Sequence, residues 1–287
     1  MLKKLFGLAP TLEPDGSYSP SKLALKLGTV KKTDYDHSTY QKYRGRRHKV
    51  LVVCTEKKDM QMRNGKRFST GNHPVEALVP MLHLREAGFE FEIVTPTGQA
   101  VAFEMWAFPH EDAAVKDIFE SYKPQFEQPG CLEDVAERLA DGPSDGHPYA
   151  AIFIPGGHGA MLGLPEDANM GKLLAWANEQ QIFIITLCHG PGSLLTTALD
   201  GGAFLYEDYQ MAVFPDSVDE MTPMLGYLPG HMPFGLSERL KALGVKVVNK
   251  KGDDTVVRDR HLLTGASPLA SDKLGKLAAA TLLSELD

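Results

Sequence analysis

Three apolar runs in this chain of 287 residues stop abruptly on residues that could do chemistry. Residues 150–154 end in Pro155-Gly156-Gly157-His158-Gly159, residues 182–187 end at Cys188-His189-Gly190, and residues 211–214 end in Pro215-Asp216. In an open parallel sheet, ligands bind outside the carboxyl ends of the strands, so these three ends face one site. Cys188 sits between an apolar strand and a helix start, the geometry of a nucleophile elbow. The unpaired N–H groups and positive dipole end of that helix favour a thiolate, which predicts a depressed thiol pKa. A small cysteine packed under a helix is the plainer alternative. Against it, His189 and the glycines that follow are poor core fillers and suit a backbone approached by substrate. His189 is the adjacent candidate base, although direct neighbours normally point apart. Asp216 could orient that ring, and a Pro-Asp-Ser turn residue is its simpler reading. Gly156 and Gly157 could offer backbone N–H groups to a developing oxyanion, with His158 beside them as a substrate-binding candidate. Alone, the GGHG run is only a turn signal. Cys54 and Cys131 read as structural or incidental.

The elements that must hold these residues follow from periodicity. Residues 50–54 form a short β-branched run, 73–87 carry apolar residues near helical spacing with Gly88 as a stop, and 89–95 read as a second strand. That βαβ unit predicts a parallel sheet. Helices are expected over 166–180, 190–199, 234–243 and 268–285, with short strands at 245–249, 255–257 and 262–264. Residues 98–147 break the rhythm, with helices at about 111–122 and 130–141, several prolines and no clear strand. The predicted organisation is an N-terminal extension over 1–47, an α/β core from 48–97 and 148–287, and an inserted segment, 98–147, that forms a small cap with the extension. From pattern alone, Glu76 is a surface helix residue.

Composition removes several classes of function. Hydrophobic residues make up 43% of the chain, enough for a full core. The formal net charge of -7 disfavours tight nucleic-acid binding, which runs on Lys/Arg–phosphate contacts. A locally basic N-terminal stretch (Lys3, Lys4, Lys22, Lys26, Lys31 and Lys32) reads as a solvated tail. Three cysteines with no CxxC pair argue for reduced thiols and a cytoplasmic setting. No run approaches the roughly 18 apolar residues of a membrane span.

Together these segments resemble the ThiJ/PfpI superfamily, whose core is similar to class I glutamine amidotransferases. The resemblance runs from about Arg44 onward and is carried by FSTGNHPVEAL (68–78), EMWAFPHED (104–112), AAIFIPGGHGAMLGLPE (150–166), LCHGPGSLL (187–195), FPDSVDEMTP (214–223), GYLPGHMPF (226–234) and LLTGASPLASDKLGKLAA (262–279). It is similar in detail to the large heat-shock branch, chaperones with glutathione-independent glyoxalase (glyoxalase III) and protein deglycase activity. The resemblance implies an α/β fold, a flavodoxin-like parallel sheet sandwiched by helices with a small cap domain, and a homodimer. It places the family's nucleophile at Cys188, its triad His and Asp at His189 and Asp216, its sulfur-facing acid at Glu76, and its oxyanion donors at the Gly157 and His189 backbones. The branch's two-His, one-carboxylate metal site matches Glu90, but Arg85 and Tyr122 stand where imidazoles would be needed. His83 lies two residues from Arg85 and faces another direction on a helix. No cofactor and no structural zinc are therefore expected.

The chemistry this implies is attack of the Cys188 thiolate on methylglyoxal or glyoxal, with Glu76 or His189 moving protons and no glutathione required. Glycated or unfolded proteins are further expected partners. A holdase chaperone without relevant catalysis is the main alternative and needs a large exposed apolar surface. A cysteine peptidase is another. The amidotransferase arrangement needs a later His-x-Glu, which neither His231-Met232-Pro233 nor His261-Leu262-Leu263 provides.

Overall fold

The computed structural model describes residues 7–142, 146–199 and 201–286, so Lys3 and Lys4 of the basic stretch lie outside the described residues. Seven strands form the central sheet: β1 (Lys49–Val53), β2 (Glu90–Thr95), β3 (Gly130–Cys131), β4 (Tyr149–Ile154), β5 (Phe183–Leu187), β6 (Val256–Asp259) and β7 (Leu262–Gly265). Their spatial order is β6-β7-β5-β4-β1-β2-β3, and every pair is parallel except β6 with β7. The chain winds outward in one direction from β1 to β2 and in the other from β1 to β4. The topological switch therefore falls beside the carboxyl end of β1, where a doubly wound sheet opens a crevice.

Both faces of the sheet are covered, which is why its central strands read as continuous apolar runs. Leu51, Ile152, Ile154 and Ile184 face one layer, packed by α4 (Leu132–Ala140) and α5 (Ala168–Glu179). Val50, Val52, Phe153 and Ile185 face the other, packed by α2 (Pro74–Glu86), α3 (Ala113–Glu127) and α8 (Ser271–Glu285). Helix α2 is buried at every position from Pro74 to Leu84, because the sheet lies on one side and α8 on the other.

The segment 98–147 was expected to cap the core together with the extension. Its two helices instead lie in the sandwich layers, and Gly130–Cys131 adds an edge strand to β2. The reason is amphipathicity: α3 buries Val115, Ile118 and Phe126, and α4 buries Leu132, Val135, Ala136 and Leu139. A separate four-stranded sheet is built from Thr11–Leu12, Tyr18–Ser19, Arg67–Ser69 and Asp59–Gln61, in that spatial order.

The N-terminal extension is more structured than a solvated tail. Helix α1 (Lys22–Gly28) is capped by Ser21, whose hydroxyl accepts the Ala24 N–H at 3.1 Å. The strap that follows is fixed in three places. The Thr33 N–H and hydroxyl both donate to Asp112, the Tyr40 hydroxyl meets His83 Nδ1 at 2.7 Å, and the Tyr43 N–H donates to the Ala87 carbonyl. Among the described residues, no helix is long and apolar enough to cross a membrane.

Candidate active site

Cys188 follows the last residue of β5 with φ of 58°, a region side chains rarely occupy. Such a residue costs about 1–3 kcal/mol and persists only where its surroundings hold it. Here its N–H donates to the Gly265 carbonyl at 2.8 Å, and its carbonyl accepts the Phe214 N–H at 3.0 Å. The positive φ turns the chain so that consecutive side chains share one side. Cys188 Sγ and His189 Nδ1 lie 3.2 Å apart although they belong to consecutive residues.

The carboxylate behind His189 is not Asp216. Asp216 begins α6 (Asp216–Leu225) but points to α7 (Leu236–Ala242), where its two oxygens accept the Ser237 and Glu238 N–H groups at 2.9 and 2.8 Å. One helical turn later, Asp219 accepts from His189 Nε2 at 2.8 Å. This corrects the sequence assignment. The FPD strand-end rule selects the first aspartate, whereas Pro215 starts a helix whose i, i+3 spacing brings the second one inward. With Nε2–H donated to Asp219, the neutral ring presents a lone pair at Nδ1 to the thiol.

Glu76 stands in the first turn of α2 and is fully buried, not on the surface. Neither carboxyl oxygen has a hydrogen-bond partner among the described residues. Gly156 lets the carboxyl and the cysteine approach each other: a Cβ there would lie 2.0 Å from Glu76 Oε2 and 2.8 Å from Cys188 Cβ. Gly156 is thus a spacer, and its carbonyl accepts the His73 N–H. Gly157 adopts φ of 102°, and a Cβ there would meet the Gly71 carbonyl at 2.4 Å. Its backbone N–H lies near both the Cys188 sulfur and the Glu76 carboxyl and favours the charged form of each, without a hydrogen bond of ordinary geometry to the carboxyl.

The thiol pKa runs opposite to the expectation. Burial, and then the Glu76 carboxylate, push Cys188 up. The helix that follows is a 3-10 run, Gly190–Ala198, with Pro191 removing one N–H, so the dipole contribution is small. Burial pushes Glu76 up as well. A protonated Glu76 carries no charge to oppose the thiolate and has an O–H to give it, so this site holds one negative charge comfortably and two poorly.

His158, the substrate-binding candidate, and three residues not singled out by sequence complete the pocket. His158 Nε2 donates to Asp219 Oδ1 at 3.0 Å, so Asp219 bridges two imidazoles. Burial would raise Asp219, but the two histidines hold it well below the usual carboxylate range. Glu104, buried, lies 3.8 Å from His158 Nδ1 and accepts the His158 N–H at 3.3 Å and the Thr70 hydroxyl at 2.8 Å. His73, at the N-cap of α2, is driven down to about 4 by burial. The half-buried Tyr227 ring lies 6.0 Å from that of His158. The NHP and EMW segments that carry His73 and Glu104 were visible as motifs, but nothing in them showed that they converge. These groups form the floor of a cavity of about 580 Å³. Its walls are largely apolar and include Leu27 and Val30 of the strap, Leu225 of α6 and Leu269.

The positions where the resemblance places a metal do not fit one. Arg85 Nη1 is paired with Asp117 at 2.9 Å, and the Tyr122 ring packs edge-on against Phe91 at 5.2 Å. Glu90 is their exposed neighbour. His83 faces away, toward Asp272 at 2.9 Å. Two other sets, His158/His189/Asp219 and Asp36/His83/Asp272, hold donor atoms within 4.8 Å of one another. In the second, Lys276 already sits between the carboxylates of Asp36 and Asp272. His231 pairs with Glu220 on a half-exposed surface, in keeping with the loss of an amidotransferase arrangement.

No protein-family model matches the chain. Curated relatives do. The chain is 46% identical over 271 residues to the protein/nucleic acid deglycase HchA of Pseudomonas aeruginosa, covering 93% of this chain and 92% of that one. It is 45% identical over 271 residues to protein/nucleic acid deglycase 1 of Escherichia coli K12, covering 94% and 93%. Among solved structures, glyoxalase III of Candida albicans superposes with a TM-score of 0.59 at 21% identity over 82% of this chain and 97% of that one. A ThiJ/PfpI domain protein of Brachyspira murdochii superposes at 0.52 with 12% identity over 84% and 99%. At those identities the two structures speak for the fold alone, whereas near-half identity along almost the whole length is decisive for descent: the chain belongs to the HchA deglycase family.

Proposed function

We propose that this protein is a cysteine-dependent glyoxalase and deglycase acting on small dicarbonyl compounds and their adducts. The observation that carries the reading is the buried, unpartnered Glu76 carboxyl held against the Cys188 sulfur by Gly156. A structural role gives no reason to bury an acid without a partner, since desolvation without compensation is costly. A proton carrier between sulfur and substrate needs that placement.

In the proposed reaction, the Cys188 sulfur attacks the aldehyde carbon of methylglyoxal while its proton leaves through His189. The product is a hemithioacetal. A base, Glu76 or His189, takes the remaining C–H proton to give an enediol, and return of the proton to the neighbouring carbon leaves a thioester. Water cleaves the thioester, releasing lactate and the free thiol. The sum is methylglyoxal plus water to lactate, with no net oxidation and no added reductant. Gly157 N–H faces the developing oxyanion, and Asp219 holds the His189 tautomer. A cavity of about 580 Å³ is far larger than a three-carbon dicarbonyl, which leaves room for the side chain carrying an adduct.

The test is product analysis with methylglyoxal for wild type and Cys188→Ala side by side. Lactate formation should fall below a few per cent in the variant while its circular dichroism is unchanged. Substantial residual lactate formation would exclude the thiol route. One observation favours a second reading, a holdase. Leu27, Val30, Met221, Met224, Leu225 and Leu269 are large apolar residues exposed at 45–69%, and four of them line the cavity. Client binding should survive Cys188→Ala, so the same variant separates the two activities.

A further inference from the structure

The reaction above uses Cys188, His189, Asp219 and Glu76, and leaves His158 without a task. His158 opens a 3-10 turn, His158–Met161, that follows the β4 strand end after Pro155, Gly156 and Gly157. Its ring is buried and lies against that of His189, with centroids 4.2 Å apart and planes at 34°. Asp219 on α6 takes its Nε2–H at 3.0 Å, and Glu104, just before the 3-10 turn Met105–Ala107, stands at Nδ1. Two carboxylates therefore flank one imidazole, and one of them, Asp219, is shared with the catalytic base.

We propose that His158 is a positioning residue whose fixed positive charge keeps His189 neutral, so that His189 Nδ1 is free to take the Cys188 proton. The proposal rests on the thiol reading above. Its physics is a division of one anion. If His158 were uncharged, Asp219 would act on His189 alone and stabilise its imidazolium, and a protonated ring cannot serve as a base. With a cation stacked on His189 and drawing on the other oxygen of Asp219, a second positive charge is opposed.

The groups facing each ring agree in direction. Around His158, burial favours the neutral form, but Asp219 and Glu104 outweigh it and push it up to about 10; His73, Glu76 and Tyr227 also neighbour it. Around His189, burial lowers the pKa, Asp219 raises it, His158 lowers it and Glu104 raises it, with a net fall. The Cys188 thiol at Nδ1 and the Phe214 ring at 4.8 Å complete its surroundings.

The decisive measurement is a pH titration of the histidine side chains by NMR on isotope-labelled full-length protein. Assignment comes from His158→Gln and His189→Gln. In wild type, His158 should stay an imidazolium and His189 stay neutral from pH 6 to 8. In His158→Gln, whose amide can still reach Asp219 without a charge, the His189 midpoint should rise by about one to two units. The acid limb of kcat/KM for methylglyoxal should rise with it. A merely structural role would lower kcat at all pH values and leave the His189 midpoint in place. An unmoved midpoint in the folded variant overturns the proposal. If the variant does not fold, a neutral His158 at pH 7 in wild type overturns it as well. Because the titration is read without turnover, absence of lactate formation would refute the thiol reading and leave this result standing.

Discussion

Asp216 and Asp219 lie three residues apart on one helix, and the structure assigns them opposite consequences. In Asp219→Asn, His189 loses the carboxylate at 2.8 Å that fixes its tautomer and supports its charge while it carries the Cys188 proton. A hydrogen bond to a charged partner contributes about 1.5–3 kcal/mol, or roughly 10- to 150-fold in rate. If the new amide turns its NH2 toward Nε2, Nδ1 becomes the protonated nitrogen and the base is lost altogether, a factor on the order of 10²–10⁴. The expected fall in kcat is therefore at least about tenfold, and more if the tautomer inverts. Asp216→Ala removes two N–H partners at the start of α7 and nothing from the pocket. Loss of such a cap costs about 0.5–2 kcal/mol, which for a chain of this size is a melting shift of a few degrees. Lactate formation at 25 °C, well below the transition, should be near normal. Steady-state kinetics and thermal unfolding on both variants decide the matter. If Asp216→Ala loses more turnover than Asp219→Asn, the geometric assignment is wrong.

Glu76→Gln should lower turnover on the order of 10²-fold or more, and near-normal turnover would show that the carboxyl carries no proton. Its stability effect has a sign. The Glu76 pKa in the fold is raised above the ordinary value of 4.5, so its contribution is fully present below that value and is lost as pH rises toward the folded pKa. Glutamine cannot lose a proton, so denaturant melts from pH 5 to 8 should show the variant gaining on wild type; a constant difference would contradict the raised pKa. Lactate formation should also survive a strong chelator, given Arg85 and Tyr122 beside Glu90. About one zinc per chain, lost on mutating Glu90, would reverse that conclusion.

The strands and the nucleophile were legible because their signals are local. An apolar run ending at Cys188, or a GGHG turn after 150–154, needs only a window of a few residues. What was not legible depended on contacts between distant segments. Nothing near Glu76 shows that α8 covers the outer side of its helix, and only the family resemblance placed it at the sulfur. The thiol pKa was misjudged for the same reason: the helix start is a sequence feature, whereas burial and the facing carboxyl belong to the fold. Asp219 was missed more simply, since Pro215 marked a turn and the short helix behind it was not recognised. The edge strand Gly130–Cys131 is two residues long and has no periodicity to read.

The strap over the pocket also has a consequence for when the thiol becomes competent. Ser21 reaches the Leu225 carbonyl across 204 positions, and the Asp36 N–H reaches Asp272 across 236. During synthesis the roof is made long before the walls it must rest on. Loop closure over such spans adds only modest entropic cost once both ends exist, but it cannot begin until the later segment has left the ribosome. A partly made chain can therefore display neither a finished pocket nor a seated strap, and the thiol acquires its proton partners and its covering in the same late step. The pocket that the proposed reaction needs is thereby absent while the chain is still being built.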